Sequence, residues 1–493
     1  MNTTGRKSNS IAWIMVACLG WIVLSCGCDN RPKTPTAPDD DSSAVKAASS
    51  RPLKVLAIAC PNFDGEVIRQ WAAQRDGELS VQQMTLSEFG ELGGESGKLD
   101  LPTKPDLILF PAAVTAELHA AEVLREIPKS VTSDETFNRK GILRHFSKSF
   151  VRHANSIRSV SLGGTGPVFL YRKDILEKTG TRLPRTWEEF SLLIKKVEQQ
   201  KKDITGLESV FLMPTSESWP ARTFLARSAA SVRARGKLTT VFDRKTMVPL
   251  IAETPFEQAI VDVKKLAQES LAKSEALSPE DVFQEFADGK AAFAFTIPRI
   301  SEPLSESAIE NSANWGVMPL PGAKRFYDMK EKQWQRRRSD EKLAVSSIDY
   351  DVFNIAVSSR CSKPQDAFEF ILWLTEKRMS SRILPPISGP FRAAHFGQLE
   401  RWLNLEDADR AFLDELSDYY VESHQERVVF LFPHILRRTE YLKSLNVAVT
   451  EFWAAENSDA KKALTEVSSA WEKISQQVGR ENQIKALSGT SGL

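Results

Sequence analysis

From residue 53 onward, short apolar runs alternate with amphipathic stretches of helical period. Lys54 to Ala59 reads as a buried strand, followed by a loop from Cys60 to Gly65 and a helix from Glu66 to Gln74. Leu79 to Met84 and Asp106 to Phe110 supply the next two strands. Val168 to Tyr171 is a strand approached through Gly163, Gly164, Gly166 and Pro167. Glycine lets backbone approach backbone, which suits a chain crossing between two bodies. A short helix, Ile175 to Lys178, is stopped by Gly180. Thr186 and Glu189 then form a capping box ahead of a stripe of Trp187, Phe190, Leu193, Ile194 and Val197.

Ser209 to Met213 is a further strand. Thr254 and Glu257, with Pro255 between them, predict a second capping box ahead of Phe256, Ile260, Val263 and Leu266. Ser278 opens a helix through Phe286 that Gly289 closes before another apolar strand. Val352 to Val357 is a strand, and Pro364 opens a helix carrying Ala367, Phe370, Ile371 and Leu374. Ala460 to Ile474 is the last amphipathic helix, and residues 480–493, polar and glycine-containing, are predicted to fray. This alternation predicts an α/β fold built on doubly wound parallel sheets. Ligands of such sheets bind at loops leaving the strands' carboxyl ends. Here those loops hold Asn62, Phe63 and Asp64 after the first strand, and Phe110 to Ala113 after the third. Phe110 fits a packing role as well as a binding one.

Composition narrows the function classes. The chain has 493 residues, too many for one typical domain, and is 42% hydrophobic and 26% charged. Its formal net charge is +1, which argues against a nucleic-acid partner. The run Arg336-Arg337-Arg338 is predicted to be a solvated loop. Of five cysteines, Cys60 and Cys361 lie outside the leader, too far apart in sequence for a disulfide framework or metal spacing, and are expected as small buried hydrophobes. The six histidines form no metal-ligand motif, and no nucleophile elbow or phosphate loop is present. No metal, cofactor or catalytic residue is predicted.

The chain opens on a targeting segment. Arg6 and Lys7 precede an apolar core from Ile11 to Leu24, short for a spanning helix and suited to a signal peptide. It ends in Ser25-Cys26-Gly27-Cys28, where small residues ahead of cysteine resemble a bacterial lipobox. Cys28 is the preferred lipidation site and Cys26 the alternative, so residues 1–28 read as a lipoprotein signal. Residues 29–52, rich in Pro, Ser and Asp, form a flexible tether.

Several motifs stand in a collinear order. They are PVFLYRKDILEK and PRTWEEF within residues 167–190, VFQEFADGKAAFAF before Arg299, WGVMPLPG from Trp315, SGPFR ending at Arg392, and FPHILRRTEY ending at Tyr441. In that order they resemble the family 1 extracellular solute-binding proteins, the maltose-binding-protein-like receptors of ABC importers. The resemblance implies a two-lobed periplasmic-binding-protein-like type II fold, each lobe a sheet flanked by helices. It places an N-lobe at 53–162 plus 321–384, a C-lobe at 163–320 plus 385–478, and a frayed tail at 479–493, with crossings near 162, 320 and 385.

The same resemblance implies a carbohydrate or related polyhydroxylated ligand in the inter-lobe cleft. It offers Asn62, Phe63, Asp64, Phe110 and Thr165 as contacts, with Glu217, Trp219, Arg299, Arg392 and Tyr441. An aromatic covers a sugar's apolar face while carboxylates and guanidinia meet its hydroxyls; Trp219 fits lobe packing equally. Arg299 stands where many sugar binders place tryptophan, and Asp349-Tyr350 replaces the paired glycines common before the strand at Val352. The expected protein is a monomeric lipoprotein facing the periplasm or exterior, with an ABC permease as partner. A sensor module for a membrane signalling partner is the alternative. A cleft hydrolase using Asp64 and Glu217 is the remaining one.

Overall fold

Two sheets carry the fold in a computed structural model that describes residues 51–490, apart from 64, 76, 93–98, 154–155, 234–240 and 349–350. Residues 1–50, which include Cys26 and Cys28, and Asp64 lie outside the described residues. The strands used below are β1 (Leu53–Ile58), β2 (Leu79–Met84), β3 (Leu107–Pro111), β4 (Val160–Gly163), β5 (Val168–Arg172), β6 (Ser209–Leu212), β7 (Ala291–Thr296), β8 (Trp315–Met318), β9 (Arg325–Asp328), β10 (Gln333–Arg336) and β11 (Phe353–Val357). One sheet has the order β2-β1-β3-β11-β4 and the other β8-β5-β7-β6. Parallel winding is only partly realised. β1 pairs in parallel with β2 and β3, but β11 runs antiparallel between β3 and β4, with Ile355 opposite Leu109. In the second sheet β5 is antiparallel to both β8 and β7.

Strand alternation sorts each sheet's faces. Leu56, Ile58, Ile108 and Phe110 pack under Phe89 and Leu118 on one face of the first sheet. Val55, Leu107, Leu109 and Ile355 on its other face belong to a core that continues to Val168 and Leu170 of the second sheet. The second sheet's opposite face, with Phe169, Phe211, Phe293 and Phe295, packs against helices. Phe169 and Phe211 stack at 5.4 Å.

The helices used below are α1 (Gly65–Arg75), α2 (Thr115–Ala120), α3 (Trp187–Gln200), α4 (Trp219–Val232), α5 (Thr254–Leu266), α6 (Pro279–Ala287), α7 (Pro364–Thr375), α8 (Arg410–Gln425), α9 (Arg438–Ala454), α10 (Ala460–Val478) and α11 (Arg480–Thr490). Thr186 caps α3 by accepting from the Glu189 amide, while the Glu189 carboxylate accepts from the Arg185 amide. Ser278 and Asp281 form a full capping box on α6. At α5 the expected box is absent: the helix starts on Thr254 after Glu253, without a side-chain cap.

Two further expectations are corrected. Arg337 is not solvated: the hairpin β9–β10 carries it inward, where it donates to the carbonyls of Ala323, Ala230 and Arg233 and pairs with Glu341. Its neighbours Arg336 and Arg338 are exposed, so only the middle guanidinium is spent on packing. Residues 480–490 are not frayed either. They form α11, whose buried Gln483 bonds the amide and carbonyl of Leu436 and the Tyr441 hydroxyl. Cys60 and Cys361 are free and buried, as expected. No described helix is long and apolar enough to cross a membrane.

Candidate functional site: the cleft between the sheets

The segment joining β4 to β5 passes from one sheet to the other and lies backbone to backbone against residues 388–390. Gly163 has φ +88°, and a β-carbon there would meet the Gly389 oxygen at 2.0 Å. One on Gly164 would meet the Asp351 oxygen at 2.5 Å. Such approaches admit only glycine. The Ser388 hydroxyl donates to the Leu162 carbonyl at 2.6 Å, and the Tyr420 hydroxyl of α8 to that of Gly166 at 2.7 Å. Thr165 sits half-buried in this junction.

Beside the junction, a cavity of about 60 Å³ opens between the loops following β3 and preceding β11 on one side and α4 and the start of α9 on the other. Pro111, Ala112 and Val352 face Ser218, Ala221, Arg222, His434, Arg438 and Leu442 across it. Side chains and backbone of the bordering helices and loops bond over the gap. Arg222 holds Asp351 in a fork, Nη1 to Oδ2 at 2.9 Å and Nη2 to Oδ1 at 2.5 Å. The Asp351 side chain is 64% exposed. Partial desolvation in the cleft pushes its carboxyl up, but the charge and bonds of Arg222, helped by Arg438, more than offset this and leave it below the usual range. His434 Nδ1 lies 3.1 Å from the Ala112 carbonyl, and burial beside Arg438 pushes this imidazole down to about 3. Glu117 on α2 accepts from the Arg437 amide at 2.7 Å, at the start of α9, and burial raises its carboxyl to about 7.

The volume is far below the roughly 300–1,000 Å³ of small-molecule sites, so the two walls lie close together here. A larger groove of about 470 Å³ is lined by residues such as Arg75, Trp373 and Arg382 around α1 and α7, none of them from the second sheet.

The residues predicted from sequence divide into three groups. Asn62 and Arg299 converge: Asn62 Nδ2 donates to the Pro386 carbonyl at 3.0 Å and Arg299 Nη2 to that of Pro385 at 3.1 Å. They grip one connector from two sides. Glu217 and Trp219 flank Ser218 at the cleft. Glu217 is exposed, with φ +48° and its carbonyl held by Asn446, while Trp219 is 4% exposed under the Arg222 guanidinium, 5.7 Å from its ring.

The third group is packed away. Phe63 and Phe110 are fully buried in the core. Tyr441 is buried, its hydroxyl 2.8 Å from Ser475 Oγ, and burial raises it to about 12. Arg392 is 3% exposed and donates to the carbonyls of Thr375, Phe137 and Asn138, with burial lowering it to about 10. These four side chains serve packing.

Sequence reasoning missed Arg222, Asp351, His434 and Arg438. Arg222 lies three residues beyond Trp219, and the FPHILRR stretch held His434 and Arg438. Their spacing carries no motif, and only the fold assembles them.

Comparison with known proteins completes the assignment. No curated protein sequence matches the chain. Solved structures do. The sugar-binding protein MalE from Xanthomonas citri is 14% identical, with 88% of this chain and 99% of that one covered and a TM-score of 0.60. An ABC transporter solute-binding protein from Agrobacterium radiobacter K84, in complex with ribitol, is 16% identical over 86% and 99%, with a TM-score of 0.57. Maltose-bound MalE3 of T. maritima is 17% identical over 86% and 100%, with a TM-score of 0.57. At these identities the likeness establishes the fold, that of two-lobed binding proteins. The family described as bacterial extracellular solute-binding protein matches residues 100–379, more than half of the sequence. With its two sheets, shared cleft and glycine-lined crossing, the chain belongs to the bacterial extracellular solute-binding protein family.

Proposed function

We propose that the protein is the extracytoplasmic receptor of an ABC importer, binding a carbohydrate or related polyhydroxylated solute between its lobes. The observation that carries this reading is the Arg222–Asp351 pair, which joins α4 to the loop before β11 across the cleft. A solute that bridges the same surfaces favours the shut form only by binding it better than the open one. The lobes divide as 53–162 plus 321–384 and 163–320 plus 385–478. Asn62 and Arg299 tune closure through the Pro385-Pro386 connector, and Thr165, Glu217 and Trp219 border the solute. Lipidation at Cys28, or at Cys26, tethers the receptor to the membrane, facing the periplasm or exterior, where a permease reads the closed form.

Family and fold are those of binding proteins, and ribitol and maltose in the structural neighbours support the solute class. Calorimetry of the purified protein against sugars, polyols and their acids tests the reading. A saturable heat for one of them is expected; none for any member of the panel would overturn it.

A further inference from the structure

We propose that the solute is acidic, a sugar or polyol bearing a carboxylate, and that its carboxylate takes the place Asp351 holds on Arg222. The inference rests on the receptor reading above and narrows its ligand class. Arg222 presents a planar fork matched by both oxygens of Asp351, the arrangement in which guanidinium recognises carboxylate. Its position over the Trp219 ring and in the first turn of α4 fixes that fork in place. Arg438 lines the same cavity, with its guanidinium 5.4 Å over the Phe432 ring, and His434 stands beside it.

Aromatic platforms are scarce. Among the described lining residues the rings are Phe150, 2% exposed, and the His434 imidazole, 3% exposed, while Phe63, Phe110 and Tyr441 are buried and Trp219 is covered by Arg222. A neutral sugar would find little to stack on. It would also have to strip Asp351 from Arg222 and return no charge, forfeiting charge-assisted hydrogen bonds. A carboxylate makes the exchange even: Arg222 keeps its fork, and Asp351, already 64% exposed, regains water at little cost. Asp351 is therefore an internal stand-in for the solute's acid group.

The test is calorimetry at low salt on the purified full chain. Probes are galacturonate, glucuronate and gluconate, their neutral counterparts galactose, glucose and glucitol, and galactose 1-phosphate. An acid form is expected to bind at least about tenfold more tightly than its neutral counterpart. Arg222→Lys, which keeps charge but loses the fork, should weaken it about tenfold or more, and Arg222→Gln further. Asp351→Asn should retain or tighten binding, because the competitor is gone, with melting curves confirming that each variant is folded.

A neutral sugar binding as well as its acid overturns the inference and leaves the receptor reading standing. Preference for the phosphate overturns the carboxylate assignment. Loss in Asp351→Asn equal to that in Arg222→Lys overturns the exchange. Absence of binding by every probe overturns the acid and the sugar reading together.

Discussion

Gly389→Ala tests the crossing between the lobes with a single methyl group. The new β-carbon would lie 2.3 Å from the Gly164 carbonyl carbon, 2.6 Å from its oxygen and 2.7 Å from the Thr165 nitrogen, all backbone. Carbon atoms in contact rest about 3.5–4.0 Å apart, so one strand of the crossing must retreat by more than about 1 Å. Overpacking of this kind costs about 1–3 kcal/mol. The retreat also strains the Ser388–Leu162 and Asn62–Pro386 hydrogen bonds, worth about 1 kcal/mol each, for a total of about 3–5 kcal/mol.

Unfolding entropy of about 2.1 cal/mol/K per residue over roughly 440 residues is about 0.9 kcal/mol/K. The melting temperature should therefore fall by about 3–5 °C. Gly397→Ala is the matched control, since a β-carbon there meets nothing within 4 Å; it should stay within about 0.5 kcal/mol of the parent. Differential scanning calorimetry of both variants decides. If Gly389→Ala melts with the parent, the two connectors are not in backbone contact and the crossing is looser than described.

Three further outcomes are expected. Arg337→Ala removes a buried guanidinium from three carbonyls and Glu341, and should cost about 3–5 kcal/mol, while exposed Arg338→Ala stays within about 0.5 kcal/mol; denaturant melts compare them. Deleting residues 480–493 removes the Gln483 hydrogen bonds and the burial of Leu487, and should lower stability by about 4.5–6 kcal/mol from three hydrogen bonds of about 1 kcal/mol each and one leucine of about 1.5–3 kcal/mol. His145, His395, His424 and His434 are held neutral by burial, at about 4 for the first and about 3 for the others, below the ordinary 6.5. The unfolded chain takes up their protons first, so their contribution is complete above about pH 6.5 and drains as pH falls toward 3–4, by about 1.4 kcal/mol per unit for each. Glu117, raised to about 7, acts oppositely between about 4.5 and 7. A thermal melt should therefore come lower at pH 5 than at pH 7.5, and equal melts would refute the imidazole assignment.

The strands were legible because apolar runs and their glycine and proline borders are local. Val168–Arg172 and Leu79–Met84 were each placed to within a residue. What local text cannot say is which neighbour a side chain finds. Arg337 and Arg338 share one run of arginines, yet the turn of a hairpin buries one and exposes the other. Thr254 and Glu257 carry the letters of a capping box, but the helix begins a residue early and leaves them inside. Gln483 belongs to a polar tail by composition, and becomes buried because Leu436 and Tyr441 offer it partners from afar. The cleft was the least legible part. Phe110 and Tyr441 were plausible ring platforms by position in the chain, but each points into a core, whereas Arg222 and Asp351 meet only because two distant segments cross.

The sheet order also dictates a sequence of assembly. All strands of the second sheet come from one uninterrupted span, β5 through β8, so that sheet can pair as soon as the span is available. The first sheet cannot: β11 is inserted between β3 and β4, and until that late segment arrives, those two have no partner to join them. Long-range closure of this kind is slow. The first sheet is thus the later of the two to close, and a chain cut short before Phe353 would leave its apolar strands without a centre.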